Sequence, residues 1–200
     1  EHADDLYRVV TLVDADAPFL ESSVVNYAPP PMAEALKNDF PEVVNTTRVG
    51  TRTVLVRNGD RGFNENRFFF VEPSFLEMFT FPLVKGDPAT ALAEPYTVVI
   101  TESTAARLFG DEDPMGKTLT FGTIFDLKVT GVAADIPVNS HMQFDYLGSA
   151  ATVSDRWAGE SSLGQGCLTT GGPSMWNMLG DYTYLQLSPS VDPVAAQAKL

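Results

Sequence analysis

Between Tyr96 and Val132 the hydropathy period changes twice, which limits this stretch to folds in which a capped helix packs beside a sheet. Tyr96 to Ile100 reads as a short strand. Thr101 can cap the next helix, Glu102 to Phe109, and Glu102 suits the positive end of its dipole. Ala105, Leu108 and Phe109 face inward, and Gly110 ends the helix as a C′ glycine. A turn-rich loop, Asp111 to Gly116, leads into a hairpin of Thr118 to Phe121 and Phe125 to Val132 around Gly122. Phe125, Leu127 and Val129 alternate with Asp126, Lys128 and Thr130, so this sheet has one dry and one wet face.

The flanks extend the pattern. Tyr7 to Leu12 reads as a strand. Ala28-Pro29-Pro30-Pro31 is a stiff break, after which Met32, Ala35, Leu36 and Phe40 form one helical stripe that Pro41 stops. Thr51 to Arg57 and Arg67 to Val71 read as a hairpin, joined by a longer loop around Asn58-Gly59-Asp60-Arg61-Gly62. Phe68 to Val71 is apolar on both faces, which suggests a buried strand. A short helix follows Pro73, with Phe75, Leu76 and Phe79 on one side, and Asp87-Pro88 marks a further helix start. Gln143 to Leu147 and Tyr182 to Leu187 read as strands, and Asp192-Pro193 opens a final helix. Ala151 to Asp181 holds Gly159, Gly164, Gly166, Gly171, Gly172 and Gly180 without a clear period, and reads as a long loop.

Charge and composition exclude several functions. The 200 residues suit one large domain or two small subdomains, and 44% hydrophobic content is globular material. Thirteen Lys and Arg against 26 Asp and Glu give a net charge of −13. Such a surface repels phosphate backbones, so nucleic acid is not an expected partner. No apolar run approaches the roughly 18 residues of a membrane helix. The chain starts at Glu1 without a Met and stops at Leu200 inside a helical pattern, so it reads as an excised fragment.

The side chains offer little catalytic chemistry. His2 and His141 are the only histidines, and neither has a second at metal-binding spacing. Cys167 is the single cysteine, which excludes an internal disulfide, and no basic neighbour in sequence activates it. Asp111-Glu112-Asp113 precedes Pro114 and lacks calcium-loop spacing, so a solvated turn is the better reading. Gly164-Gln165-Gly166 and Gly171-Gly172 lack the Gly-Lys-Ser/Thr of a phosphate cradle. Asn45-Thr46-Thr47 fits a glycosylation triplet, which chance supplies often. Arg48, Arg52, Arg57, Arg61 and Arg67 offer a docking face for an acidic partner, or charges that blunt an exposed edge; the second is favoured. The Phe and Met residues of Phe68 to Phe81 line either an apolar groove or a core, and the core is favoured. No catalytic, cofactor-binding or metal residue is assigned.

The order of short blocks resembles the segment after the first membrane helix of MacB/FtsX-type ABC transporter permeases. The blocks are Glu1-His2-Ala3-Asp4-Asp5-Leu6-Tyr7-Arg8-Val9, the run Phe75 to Pro88 with Phe81-Pro82-Leu83 and Gly86-Asp87-Pro88, Val99-Ile100-Thr101-Glu102-Ser103, and Ala106-Arg107-Leu108-Phe109-Gly110. Asp113-Pro114-Met115-Gly116-Lys117-Thr118-Leu119, Val129-Thr130-Gly131-Val132, Asp135-Ile136-Pro137, Asn139-Ser140-His141, Phe144-Asp145 and Tyr182-Thr183-Tyr184-Leu185 continue it. The likeness spans nearly everything but the glycine-rich loop.

That resemblance implies an α+β fold of two subdomains. A porter-like α/β part would comprise residues 1–70 and 150–200, incomplete at its C-terminal end. A strand-rich, Sabre-like part, residues 71–149, would be inserted into it. It implies a non-catalytic domain on the periplasmic side of the bacterial inner membrane, passing ATP-driven motion of membrane helices outward for export, substrate release or signalling. Its implied partners are a cytoplasmic ABC ATPase, which carries the hydrolysis, a second permease copy or homologue, and a periplasmic adaptor; no cofactor is implied. A periplasmic sensor that binds a peptide or lipid is the alternative, motivated by the aromatic segment, and a secreted hydrolase using His141 ranks last.

Overall fold

The computed structural model describes residues 5–12, 24–156 and 180–199. It is an α+β fold dominated by one mixed nine-stranded sheet. In chain order the strands are β1 (Leu6–Arg8), β2 (Thr11–Leu12), β3 (Val24–Val25), β4 (Val43–Asn58), β5 (Arg61–Val71), β6 (Leu83–Lys85), β7 (Thr97–Thr101), β8 (Thr118–Phe121), β9 (Phe125–Ala133), β10 (Tyr146–Ser149) and β11 (Tyr182–Leu187). The helices are α1 (Met32–Asp39), α2 (Ser74–Phe79), α3 (Glu102–Phe109), α4 (Ala150–Arg156) and α5 (Pro193–Gln197). The sheet runs β1-β11-β4-β5-β10-β7-β9-β6, and β8 pairs with both β9 and the far end of β4. The ladders therefore form a closed circuit from β4 through β5, β10, β7, β9 and β8 back to β4. β2 and β3 form a separate ribbon.

Inside that circuit lies an aromatic and aliphatic core. Phe68 and Phe70 of β5, Val98 and Ile100 of β7, Phe121 of β8, Leu127 and Val129 of β9 and Tyr146 of β10 belong to it. Phe68 stacks on Tyr146 at 5.2 Å and meets Phe121 edge-on at 5.1 Å. Complete burial of one such ring contributes about 1.5–3 kcal/mol. Leu108 and Phe109 of α3 and Val153 of α4 pack onto the same core. A second core, with Phe75, Leu76 and Met78 of α2, Leu92, Val99, Phe144 and Leu147, covers another face. A third, Leu36, Val43, Leu185, Leu187 and Ala196, joins α1 and α5 to the ends of β4 and β11.

Local signals place several elements where the sequence puts them. The Thr101 hydroxyl accepts from the Thr104 N–H at the start of α3, and Gly110 at φ 64° ends it. Asp192 caps α5 by accepting from the Val194 N–H. β8 and β9 form the expected hairpin, with Leu127 and Val129 buried and Asp126 and Lys128 exposed.

Elsewhere the structure corrects the reading. The run Tyr7 to Leu12 divides into β1, paired to β11, and β2, paired to β3. β4 starts at Val43, well before Thr51, because Val43 to Val49 pair along β11, where Thr46, Thr47 and Arg48 are buried. The β4–β5 connection is the tight turn Gly59-Asp60, since Asn58 already pairs with Arg61; Gly59 takes the positive φ of 57°. After Asp87-Pro88 the chain makes turns, Asp87 bonding the Thr90 and Ala91 amides, and reaches no α-helix. The expected strand at Gln143 lies later, at Tyr146–Ser149.

Residues 151–156, taken as the start of the long loop, are helical in α4. Thr152 accepts the Tyr96 N–H at 2.8 Å there, fixing Tyr96 at φ 60°. The remainder of the glycine-rich stretch, residues 157–179 including Cys167, lies outside the described residues.

Gly148 sits in β10 where a Cβ would meet Phe70 ring carbons at 2.7 and 2.8 Å. Gly148→Ala should therefore lower stability by about 1–3 kcal/mol in urea denaturation. An unchanged midpoint would show that the ring has room to move.

Candidate functional site

Three polar struts cross between elements that are distant in sequence. In the first, the Arg48 guanidinium donates from Nε and Nη2 to Glu72 Oε1 at 3.1 and 2.7 Å, and from Nη1 to the Pro30 carbonyl at 3.2 Å. The Arg48 amide donates to Glu72 Oε2 at 2.9 Å. One side chain thus ties β4 to the end of β5 and to the proline break before α1. Arg48 is 5% exposed, so it belongs to the interior and not to a docking face.

The second strut is a triangle on α3. Arg107 Nη1 donates to Glu65 Oε1 at 2.6 Å, the Tyr146 hydroxyl donates to the same oxygen at 3.0 Å, and Arg107 Nη2 donates to the Tyr146 oxygen at 3.3 Å. Arg107 also lies over the Phe63 ring at 5.2 Å. Burial, and then the Glu65 charge, push the Tyr146 hydroxyl well above its ordinary range. The third strut is at the hairpin tip. Asn58 Nδ2 and Arg61 Nη2 both donate to the Leu108 carbonyl, at 2.9 and 2.5 Å, and so satisfy the C-terminal end of α3. An open depression of about 390 Å³, lined among others by Asn58, Arg61, Phe109, Glu112 and Lys117, lies beside this contact.

The residues singled out from sequence do not gather into a reaction centre. His141 is exposed, its ring 6.1 Å from that of Tyr184. Glu112 pairs with Lys117 in its own turn, and Asp113 pairs with Lys85 of β6 at 2.9 Å. The five arginines disperse: Arg48 and Arg61 act as above, Arg52 donates to the Thr51 carbonyl, Arg57 is half-buried in β4 opposite Gly62 and Thr120, and Arg67 faces Asp145 at 3.5 Å. Phe68 to Phe81 build the cores rather than a groove. Asn45 sits in β4, and Thr47, the last residue of its triplet, is buried. His2, Cys167 and the glycine pairs lie outside the described residues. Among the described residues no group of three metal-ligating side chains occurs, and no helix is long and apolar enough to cross a membrane.

Sequence reasoning missed Glu65, Glu72, Arg107 and Tyr146 as a set. The one local sign was Glu65, a carboxylate two residues from Phe63 on a strand whose alternation calls for an apolar side chain.

A further arrangement concerns the outer strands. β1 pairs with β11 antiparallel, Leu6 opposite Gln186 and Arg8 opposite Tyr184. The described beginning of the chain and the segment leading to α5 thus lie side by side at one end of the sheet. A family model of the MacB-like periplasmic core domain matches residues 1–200. The chain belongs to this family. No individual curated protein matches it. Its fold resembles a domain assigned to a permease protein from Porphyromonas gingivalis, with TM-score 0.73 and 23% identity over 100% of this chain and 82% of that one. It also resembles the periplasmic region of MacB from Actinobacillus actinomycetemcomitans, with TM-score 0.67 and 16% identity over 98% and 80% of the chains. The extracellular domain of the noncanonic ABC-type transporter YknZ from Gram-positive bacteria aligns with TM-score 0.63 and 13% identity over 96% and 87%. This MacB-like core domain is the extracytoplasmic part of an ABC transporter permease.

Glu65→Ala should cost this domain about 2 kcal/mol at neutral pH. Removing one partner strands the other, but Arg107 at 39% side-chain exposure recovers part of its hydration. A loss under about 0.5 kcal/mol in chemical denaturation would mean that the triangle contributes nothing beyond a surface pair.

Asp145 gives the pH dependence. Burial, only partly offset by Arg67, raises its carboxyl above the usual range. The folded state therefore takes up this proton at higher pH than the unfolded chain, and stability held back at neutral pH returns as pH falls through the raised value toward 3.8. Asp145→Asn should be more stable than the parent at pH 7, and the difference should shrink on acidification. A difference independent of pH would contradict this assignment.

Proposed function

We propose that this domain passes movement of membrane helices, driven by a partner ATPase, to the extracytoplasmic side, and that it does so as a stiff body. The observation that carries the reading is the β1–β11 register, which sets the outgoing and returning segments side by side, as a domain joining two membrane helices requires. From that end β4 runs 16 residues, beginning near Leu187 and ending at the hairpin tip on α3. At about 3.3 Å per residue its contour is roughly 50 Å. Packed cores on both faces and the Arg48–Glu72 strut resist bending of such a strand, and a body packed to crystal-like density transmits a displacement instead of absorbing it.

Two parts are proposed within the body, residues 1–70 with 150–200 and residues 71–149. The core of Leu36, Val43, Leu185, Leu187 and Ala196 supports this division, since it draws only on the outer segments. The partners on this reading are a cytoplasmic ABC ATPase, a second permease copy and a periplasmic adaptor, and the site of action is the bacterial inner membrane. The peptide- or lipid-sensing alternative finds no support in the aromatic segment, whose rings fill the core.

Spin labels test the reading in the membrane-embedded permease with its ATPase, in a Cys167→Ser background. Labels at Glu34→Cys on α1 and Thr123→Cys beyond β8 should keep one separation with and without ATP. Labels at Thr123→Cys on two permease copies should change separation between those states. A fixed distance between copies, or a nucleotide-dependent distance within one domain, would overturn rigid transmission.

A further inference from the structure

The β4–β5 hairpin is not continuous. Arg52 pairs with Phe68 and Val54 with Glu65, so Thr53 on one strand and Asn66-Arg67 on the other fall outside the ladder. This irregularity divides a base, embedded between β11 and β10, from a distal part of residues 54–65. Four kinds of contact hold the distal part down, the first apolar: Val56 is buried in the aromatic core with Val54 and Phe63 packed against it. Asn58 and Arg61 donate to the Leu108 carbonyl, Glu65 and Phe63 engage Arg107, and Val56 and Arg57 pair with Phe121 and Thr120 of β8. Gly122 adds one amide bond to the Leu55 carbonyl. Phe68 and Phe70, the heavy packing of β5, lie on the base side of the irregularity, where Phe121 meets them at 5.1 and 5.4 Å. Lifting the distal part withdraws Val56, Val54 and Phe63 from that cluster and releases the strand that carries Phe121, while Phe68 and Phe70 stay in the base.

We propose that residues 54–65 form a hinged strap, latched to the C-terminal end of α3, that opens and recloses at the Thr53 and Asn66-Arg67 break while the rest of the domain stays folded. The strap closes the strand circuit at its shortest ladder, the β4–β8 contact. Its latch is polar and partly exposed, with Arg61 at the surface and an open depression beside it. Contacts of that kind belong to the low-stability end of a fold, where local opening occurs without global unfolding. While latched, the strap stiffens the distal end of β4; once open, it frees β8 and the α3 terminus together. The device needs only this fold, so it stands or falls independently of the transmission reading.

Amide hydrogen exchange on the 200-residue chain tests it. The Asn58→Ala/Arg61→Ala double variant should speed exchange in residues 54–65 and 118–121 about tenfold or more, with 97–101 and 146–149 within about twofold of the parent. Asn58→Asp, which sets a carboxylate against the Leu108 carbonyl, should give the same pattern, and the neighbouring Asp60→Ala should not. Unchanged exchange in residues 54–65 in both latch variants would overturn the strap. So would acceleration spread evenly over all strands, because the hairpin would then belong to one cooperative unit with the core.

Discussion

A ladder of backbone hydrogen bonds that returns to its own starting strand is the constraint on which the rest of this domain depends. Closing the circuit from β4 to β8 gives Phe68, Phe70, Phe121 and Tyr146 an interior to fill. It also removes free edges from the middle of the sheet, leaving β1 and β6 as its outer strands. Closure demands that β4 serve three neighbours along its length: β11 at its start, β5 from Val49 onward and β8 at its end. A strand of 16 residues is the means, and its irregularity near Thr53 lets one chain follow both the open and the closed portions of the sheet.

The buried charges sit where this geometry leaves crossings that apolar packing alone does not fix. Arg48 meets Glu72 where β4, β5 and the proline break converge, and Glu65 meets Arg107 where the hairpin passes over α3. An ion pair of this kind adds little net stability over apolar packing, but it penalises other registers, because any slip leaves a charge without its partner. In a net charge of −13, two of only 13 basic residues are committed to these positions.

What could be read from sequence was local. Thr101, Gly110 and Asp192 mark helix ends by chemistry that acts within four residues, and the Phe125 to Val129 alternation reports its own burial. The family blocks gave the α+β class. What escaped was decided at a distance. The polar run Thr46-Thr47-Arg48 looks unlike a buried strand until β11 and Glu72 cover it. Helix α4 was hidden because its contact with the Tyr96 amide joins residues 56 positions apart. The Asp87-Pro88 start signal was genuine as a turn, yet the chain had to drop Ala91 and Leu92 into a core before a helix could form. None of the three struts has a signature within one element, so none was legible before the elements were brought together.

The pairing of β1 with β11 sets an order of events during biogenesis. Among the described residues the first strand finds its ladder on the last, with Arg8 waiting for Tyr184. At roughly 5–20 residues per second of synthesis, that wait lasts on the order of 10–35 s. Through this interval the β11 side of β4 is uncovered too, and Val43 to Val49 present backbone groups to any extended chain nearby. The nascent domain is thus open to mispairing until β11 emerges, and a chaperone that shields the β4 margin through that interval would raise its yield.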